Sequence, residues 1–92
     1  MKITLLLSGL VALAAADVSL HSEKACKGVQ SDQKTHQGVC VNVDAKSVQG
    51  CSYPYRLRIH EQRDCSDRAV KTCAPSKCCG WGGTPIKSIK CI

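Results

Sequence analysis

Eight cysteines, all lying between Cys26 and Cys91 of a 92-residue chain, constrain the fold more than any other feature. They are Cys26, Cys40, Cys51, Cys65, Cys73, Cys78, Cys79 and Cys91. At that density a short chain is a disulfide scaffold. The even number predicts full pairing with no spare thiol, and spacing alone does not choose among the possible connectivities. Adjacent Cys78 and Cys79 are expected to reach different partners, because a ring closed between neighbours strains the peptide bond that joins them. A domain this small buries too little surface to stand on its core alone. Each bridge adds roughly 2–4 kcal/mol, mainly by restricting the unfolded chain. Phe is absent and the aromatics are one Trp and two Tyr, so the core is expected to be Val, Leu, Ile and cystine.

Dense disulfides imply an oxidising compartment, and the first sixteen residues agree. Lys2 is followed by an apolar run and then by small residues at Ala14 and Ala16, the layout of a secretory signal peptide cleaved before Asp17. The run is too short for a bilayer span, which takes about 20 residues. The expected organisation is a leader over 1–16 and one secreted cysteine-rich domain over 17–92. Without the leader, twelve Lys and Arg face seven Asp and Glu. That excess either favours anionic surfaces such as phospholipid heads, acidic polysaccharide or nucleic acid, or serves solubility alone; the expected partner is an extracellular protein, a polysaccharide or an anionic membrane surface. No run of five like charges suggests a nucleic-acid arm, and a monomer is expected.

Short alternating segments dominate the domain. Val39, Val41 and Val43 share one face of a strand over 38–44, and Ser47–Cys51 reads as a second. Leu57 and Ile59 alternate with Arg56, Arg58 and His60, which puts those three on the solvent side. Residues 68–73 and 84–92 favour β-structure, and 17–25 reads as a strand or ordered arm. Segment 26–38 is polar and flanked by glycine, hence loop; 73–83, with three cysteines and three glycines, reads as an irregular cross-linked loop. The fold class is a small β-rich disulfide-stapled domain, for which a single Greek-key-like antiparallel fold is one candidate form.

Candidate binding residues follow from this layout. Arg56, Arg58 and His60 form either an anion-binding strip or a charged guard on an edge strand, the second being the more general need. Trp81, in Cys79-Gly80-Trp81-Gly82-Gly83, is either a rigid aromatic anchor or a large core residue; the shortage of other bulk favours the core. Tyr53 and Tyr55 form a second aromatic patch, and Lys77 in the Cys73–Cys79 loop is a candidate protease contact. No catalytic constellation emerges: oxidised cysteines leave no thiolate, His21, His36 and His60 are widely spaced, and there is no Gly-x-Ser-x-Gly. No cofactor and no metal site are expected, since Cys73, Cys78 and Cys79 suit bridges better than zinc in an oxidising setting.

The layout Val39-Cys40-Val41-Asn42-Val43, Lys46-Ser47-Val48, Gly50-Cys51 and His60-Glu61-Gln62-Arg63-Asp64-Cys65 resembles small secreted cysteine-rich proteins of filamentous fungi. Many of these are regarded as candidate effectors or antimicrobial proteins. Some resemble single βγ-crystallin-type Greek-key domains, with a serine-containing stretch before one strand and a corner motif after the next. Residues 38–67 carry this resemblance. His60 stands where the corner aromatic would be, and the acidic–serine pair is incomplete around Asp44 and Ser47, so no calcium site is implied. The resemblance implies a non-enzymatic protein that binds a host or microbial target outside the producing cell. The alternatives are a cationic antimicrobial protein or toxin and, more weakly, a small protease inhibitor.

Overall fold

The computed structural model describes residues 15–92, with side chains from Asp17 onward. The expected leader lies outside the described residues, apart from the backbone of Ala15 and Ala16. Eight strands follow in order: β1 (Ala15–Glu23), β2 (Lys27–His36), β3 (Cys40–Ala45), β4 (Ser47–Gln49), β5 (Leu57–His60), β6 (Lys71–Cys73), β7 (Cys78–Gly80) and β8 (Ile86–Cys91). They form two four-stranded antiparallel sheets, ordered β2-β1-β4-β7 and β3-β8-β5-β6. No α-helix occurs among the described residues. The small β-rich disulfide-stapled class is the one observed.

The strand order contains a repeat. In each half the first strand pairs with the second and with the fourth, while the third crosses to the sheet of the other half. β1 and β5 therefore occupy equivalent places, as do β4 and β8. The registers agree residue by residue: His21 faces Ser47 as His60 faces Ser88, and Leu20 faces Val48 as Ile59 faces Ile89. The Greek-key-like unit occurs twice.

Between the sheets lie Val18, Val48, Leu57, Ile59, Ile86 and Ile89, each at most 1% exposed. Burying a side chain of that size contributes about 1.5–3 kcal/mol. Two cystines complete this interior: Cys73–Cys79 joins β6 to β7 across the sheets, and Cys51–Cys91 joins the segment after β4 to β8. Gly50 is required beside Cys51, because a Cβ there would lie 2.5 Å from a Val18 methyl.

The other two bridges do different work. After β1 and after β5 the chain makes a short 3-10 turn, at Lys24–Cys26 and at Arg63–Cys65, that folds back over the outer face of its own sheet. Each turn holds two consecutive non-glycine residues in the left-handed region: Ala25 (φ 61°) and Cys26 (56°), Asp64 (61°) and Cys65 (50°). Such residues cost about 1–3 kcal/mol each and persist only where the surroundings fix them. A serine and a cystine do so in both halves. Ser47 Oγ accepts from the Cys26 N–H at 2.8 Å and donates to the Glu23 carbonyl at 2.6 Å. Ser88 Oγ accepts from the Cys65 N–H at 2.9 Å and donates to the Gln62 carbonyl. Cys26–Cys78 and Cys40–Cys65 then tie each turn to the third strand of the opposite half.

Several sequence expectations change. Segment 26–38 is mostly β2, a ten-residue edge strand whose polar side chains face solvent on an outermost position; its alternation is hidden because almost nothing on it is buried. Segment 73–83 is a loop only at its ends, since Cys78–Gly80 pairs with β4. Of the valine face, Val43 is buried and Val41 packs on the core, but Val39 precedes the strand and is exposed. Cys78 and Cys79 reach Cys26 and Cys73, two different partners as expected, and no cysteine is free.

Candidate functional site

Along β5, Leu57 and Ile59 point inward and Arg56 and Arg58 outward, as the alternation requires. β5 is not an edge strand: it pairs with β8 on one side and β6 on the other. The reading of its charges as an edge guard is therefore overturned. Register places Lys90 directly opposite Arg58, and Thr72 on the other flank. Arg56 and Ile92 exchange both backbone hydrogen bonds at 2.8 Å, which extends the pairing by one position. Arg58 and Lys90, two residues further on, are then about 5.5 Å apart at Cα, and Arg56 lies about 7 Å along the strand from Arg58. Three cations occupy one patch of the outer face of the second sheet.

His60 does not join them. It has the same outward parity as Arg58, but the turn of residues 61–67 roofs that part of the face. The imidazole is 5% exposed, with Nδ1 3.1 Å from both the carbonyl and a carboxylate oxygen of Asp67. Alternation gave the right face; it carries no information about what folds over it. His21 is buried in the same way under the first turn.

Three of the other basic side chains are neutralised, whereas Lys24, Lys27, Lys46, Arg68, Lys71 and Lys77 have no ion pair among the described residues. Lys34 pairs with Asp17 at 3.4 Å, and Arg63 and Lys87 both reach Asp44 Oδ1, at 2.9 and 3.3 Å. The Lys87 hydrogen bond, with Arg63 beside it, holds the Asp44 carboxyl below the usual carboxylate range. Among the described residues, Arg56, Arg58 and Lys90 have no such acidic partner.

The aromatic candidates separate. Tyr53 is 85% exposed in the β4–β5 connection, three residues before Arg56 and so within about 10 Å of it along the chain. Tyr55 instead packs against the core. Trp81 is 48% exposed, contrary to the favoured core role. It begins a turn closed by the Thr84 N–H donating to its carbonyl at 3.0 Å, with Gly82 (φ 62°) and Gly83 (84°) supplying the left-handed positions. The aliphatic residues and two cystines already fill the interior. This turn follows β7 at the edge of the first sheet, beside Lys24, so Trp81 belongs to a different region from the cationic patch. Lys77 is exposed in a turn where its N–H donates to the Ala74 carbonyl, and the next residue already pairs in the sheet. That offers no extended run of the kind proteases read.

A shallow open depression of about 250 Å³ is lined by Ser22, Asp44, Ala45, Lys46, Pro85 and Lys87. Its lysine–aspartate pair is already the ion pair described above. Lys90 is the residue that sequence reasoning missed: the alternation Ile89-Lys90-Cys91 was visible, but only strand pairing sets it opposite Arg58. Comparison of the chain with protein-family models, curated proteins and solved structures found no match.

Proposed function

We propose that the chain is a secreted, non-enzymatic binding protein that acts outside the producing cell on a host or microbial target, with the outer face of the second sheet as its binding surface. One observation carries this reading. Strand register sets Arg58 opposite Lys90 with Arg56 alongside, and among the described residues none of the three is in an ion pair. Like charges directly across a strand pair destabilise a sheet, so their retention on an interior strand fits a role in contact with an anionic partner. Four disulfides suit a working life in an oxidising medium. The Greek-key-like unit that occurs twice, with its serine-held turns, is compatible with the crystallin-type layout, and the effector-like role is proposed alongside it.

The test is recovery of the protein from culture medium, followed by binding to intact microbial and host cell surfaces. The expected result is a chain starting at Asp17, without free thiols, whose binding falls at least tenfold in Arg56→Ala/Arg58→Ala/Lys90→Ala. A triple variant of equal charge loss elsewhere, Lys24→Ala/Lys27→Ala/Lys77→Ala, should keep it. Retention inside the cell with an intact leader would overturn the proposal. The same cations favour a second reading, an antimicrobial protein; its mark is growth inhibition that fades with added salt.

A further inference from the structure

Resting on the reading of the second sheet's outer face as a binding surface, we infer that its ligand is an acidic polysaccharide, a chain of linked pyranose rings bearing carboxylates. Three features of the face point there. First, its cations are laid out on a flat sheet at steps of about 5.5 Å across and 7 Å along the strands, which suits an extended polymer with regularly repeated charges better than a single compact anion. Second, Tyr53 lies at the β4–β5 end of the strip, 85% exposed. An aromatic ring left open to water three residues before Arg56 offers an apolar surface on which a sugar ring can stack while its carboxylate meets a guanidinium. Third, the strip offers little with which to enter a lipid bilayer: beside it only Val39, next to the Cys40 that pairs with Lys90, and part-exposed Ile92, opposite Arg56, are aliphatic and open to water among the described residues. Its large aliphatic neighbours Leu57, Ile59 and Ile89 are fully buried, and Trp81 lies at the edge of the other sheet. A bilayer-binding surface would add apolar insertion to charge; this one adds a stacking ring.

The equivalent face of the first sheet is an internal control. At the positions of Arg56, Arg58, Lys90 and Thr72 it carries Asp17, Ser19, Gln49 and Asp32. Its polar groups are used within the protein: Asp17 pairs with Lys34, Ser19 Oγ accepts from Gln30, and Gln49 donates to the Ser76 carbonyl. One backbone plan thus displays a self-satisfied face on one side and an unneutralised cationic one on the other.

The experiment measures binding of the purified, fully oxidised protein to sodium polygalacturonate, to uncharged dextran and to vesicles of phosphatidylglycerol and phosphatidylcholine, over a range of salt. Binding to polygalacturonate and not to dextran is expected. Arg56→Gln/Arg58→Gln/Lys90→Gln should weaken it at least tenfold and flatten its salt dependence. Tyr53→Ala should weaken it several-fold and leave the salt dependence unchanged, with Tyr53→Phe restoring it, because stacking is not ionic. Binding to vesicles without binding to polygalacturonate would overturn the polysaccharide assignment and leave the cationic face as a binding surface. Binding to neither would overturn both. Equal loss in Lys24→Gln/Lys27→Gln/Lys77→Gln would show net charge rather than this strip at work, and would also overturn it.

Discussion

The two halves of this protein share a backbone plan and differ in how their turns are secured. In the second half the turn at Arg63–Cys65 is gripped by Asn42, whose Oδ1 accepts from the Asp64 N–H at 2.7 Å while its Nδ2 donates to Asp64 Oδ1 at 2.9 Å. Arg63 adds the Asp44 carboxylate and the Val43 carbonyl. The position that faces the first turn as Asn42 faces the second is Gly80, in the third strand of the second half, since Asn42 pairs with Ser88 as Gly80 pairs with Ser47. Glycine brings no side chain, so the side-chain bracing of the first turn is Ser47 and one cystine, beside the β1–β2 ladder that closes around it at Glu23 and Lys27. After Gly80 the chain presents Trp81 outward, whereas after Asn42 it turns Val43 into the core. Equivalent strands therefore build a heavily braced turn and a lightly braced one from the same geometry.

The largest expected effect tests what the halves have in common. Cys26→Ala/Cys78→Ala and Cys40→Ala/Cys65→Ala should each cost about 2–5 kcal/mol in urea unfolding. Their sequence separations, 52 and 25, differ about twofold, which for isolated loops would make the first bridge worth about 0.6 kcal/mol more. The other bridges remove that difference. With them intact, the path from Cys26 runs to Cys40, across to Cys65, on to Cys73, across to Cys79 and back one residue to Cys78. That route is about as short as the direct one from Cys40 to Cys65. Equal losses are expected; a clearly larger loss for Cys26–Cys78 would show that the bridges act independently.

The next effect separates the halves. Ser47→Ala and Ser88→Ala each leave an amide without its acceptor, a loss of about 1–3 kcal/mol. Ser47→Ala should be the more damaging, and hydrogen exchange at Cys26 should accelerate more than at Cys65 does in Ser88→Ala. Asn42→Ala alone should cost about 0.5–1.5 kcal/mol. In its background Ser88→Ala should become as harmful as Ser47→Ala. If the two serines cost the same with Asn42 present, the asymmetric bracing has no energetic weight.

Part of this could be read from the sequence and part could not. Cysteine density and period-two alternation gave the class, the aliphatic-and-cystine core and most strands, because both are properties of short segments. The repeat was also present: His21 and His60 each precede a cysteine by five positions, and Lys46-Ser47-Val48 reappears as Lys87-Ser88-Ile89. It is easily missed because the intervening segments share almost no side chains. The roof over His60, the pairing of Lys90 with Arg58 and the interior place of β5 are products of long-range strand exchange. No local pattern encodes them, and each one changed the account of the binding face.

The smallest expected effect again falls on one half only. Asp44 is held ionised in the folded protein by Lys87 and Arg63, so its folded pKa lies below the unfolded one. A group shifted in that direction stabilises the fold fully above its unfolded pKa, near 4 for an aspartate, and loses that contribution as pH falls through the lower folded value. Because Asp44 is fully exposed, the contribution is small. Acidification from pH 5 to pH 2 should still release Arg63 and speed hydrogen exchange at Asp64 and Cys65 through this carboxylate. Beside the first turn the step that Asp44 fills after Val43 is taken by Gly82 after Trp81, which has nothing there to titrate. Asp44→Asn should therefore remove a pH-dependent difference at the second turn and leave the first turn unchanged. A variant that altered both turns alike would mean that acid acts on the sheets as a whole, and that the bracing around Arg63 is not a separate unit of the fold.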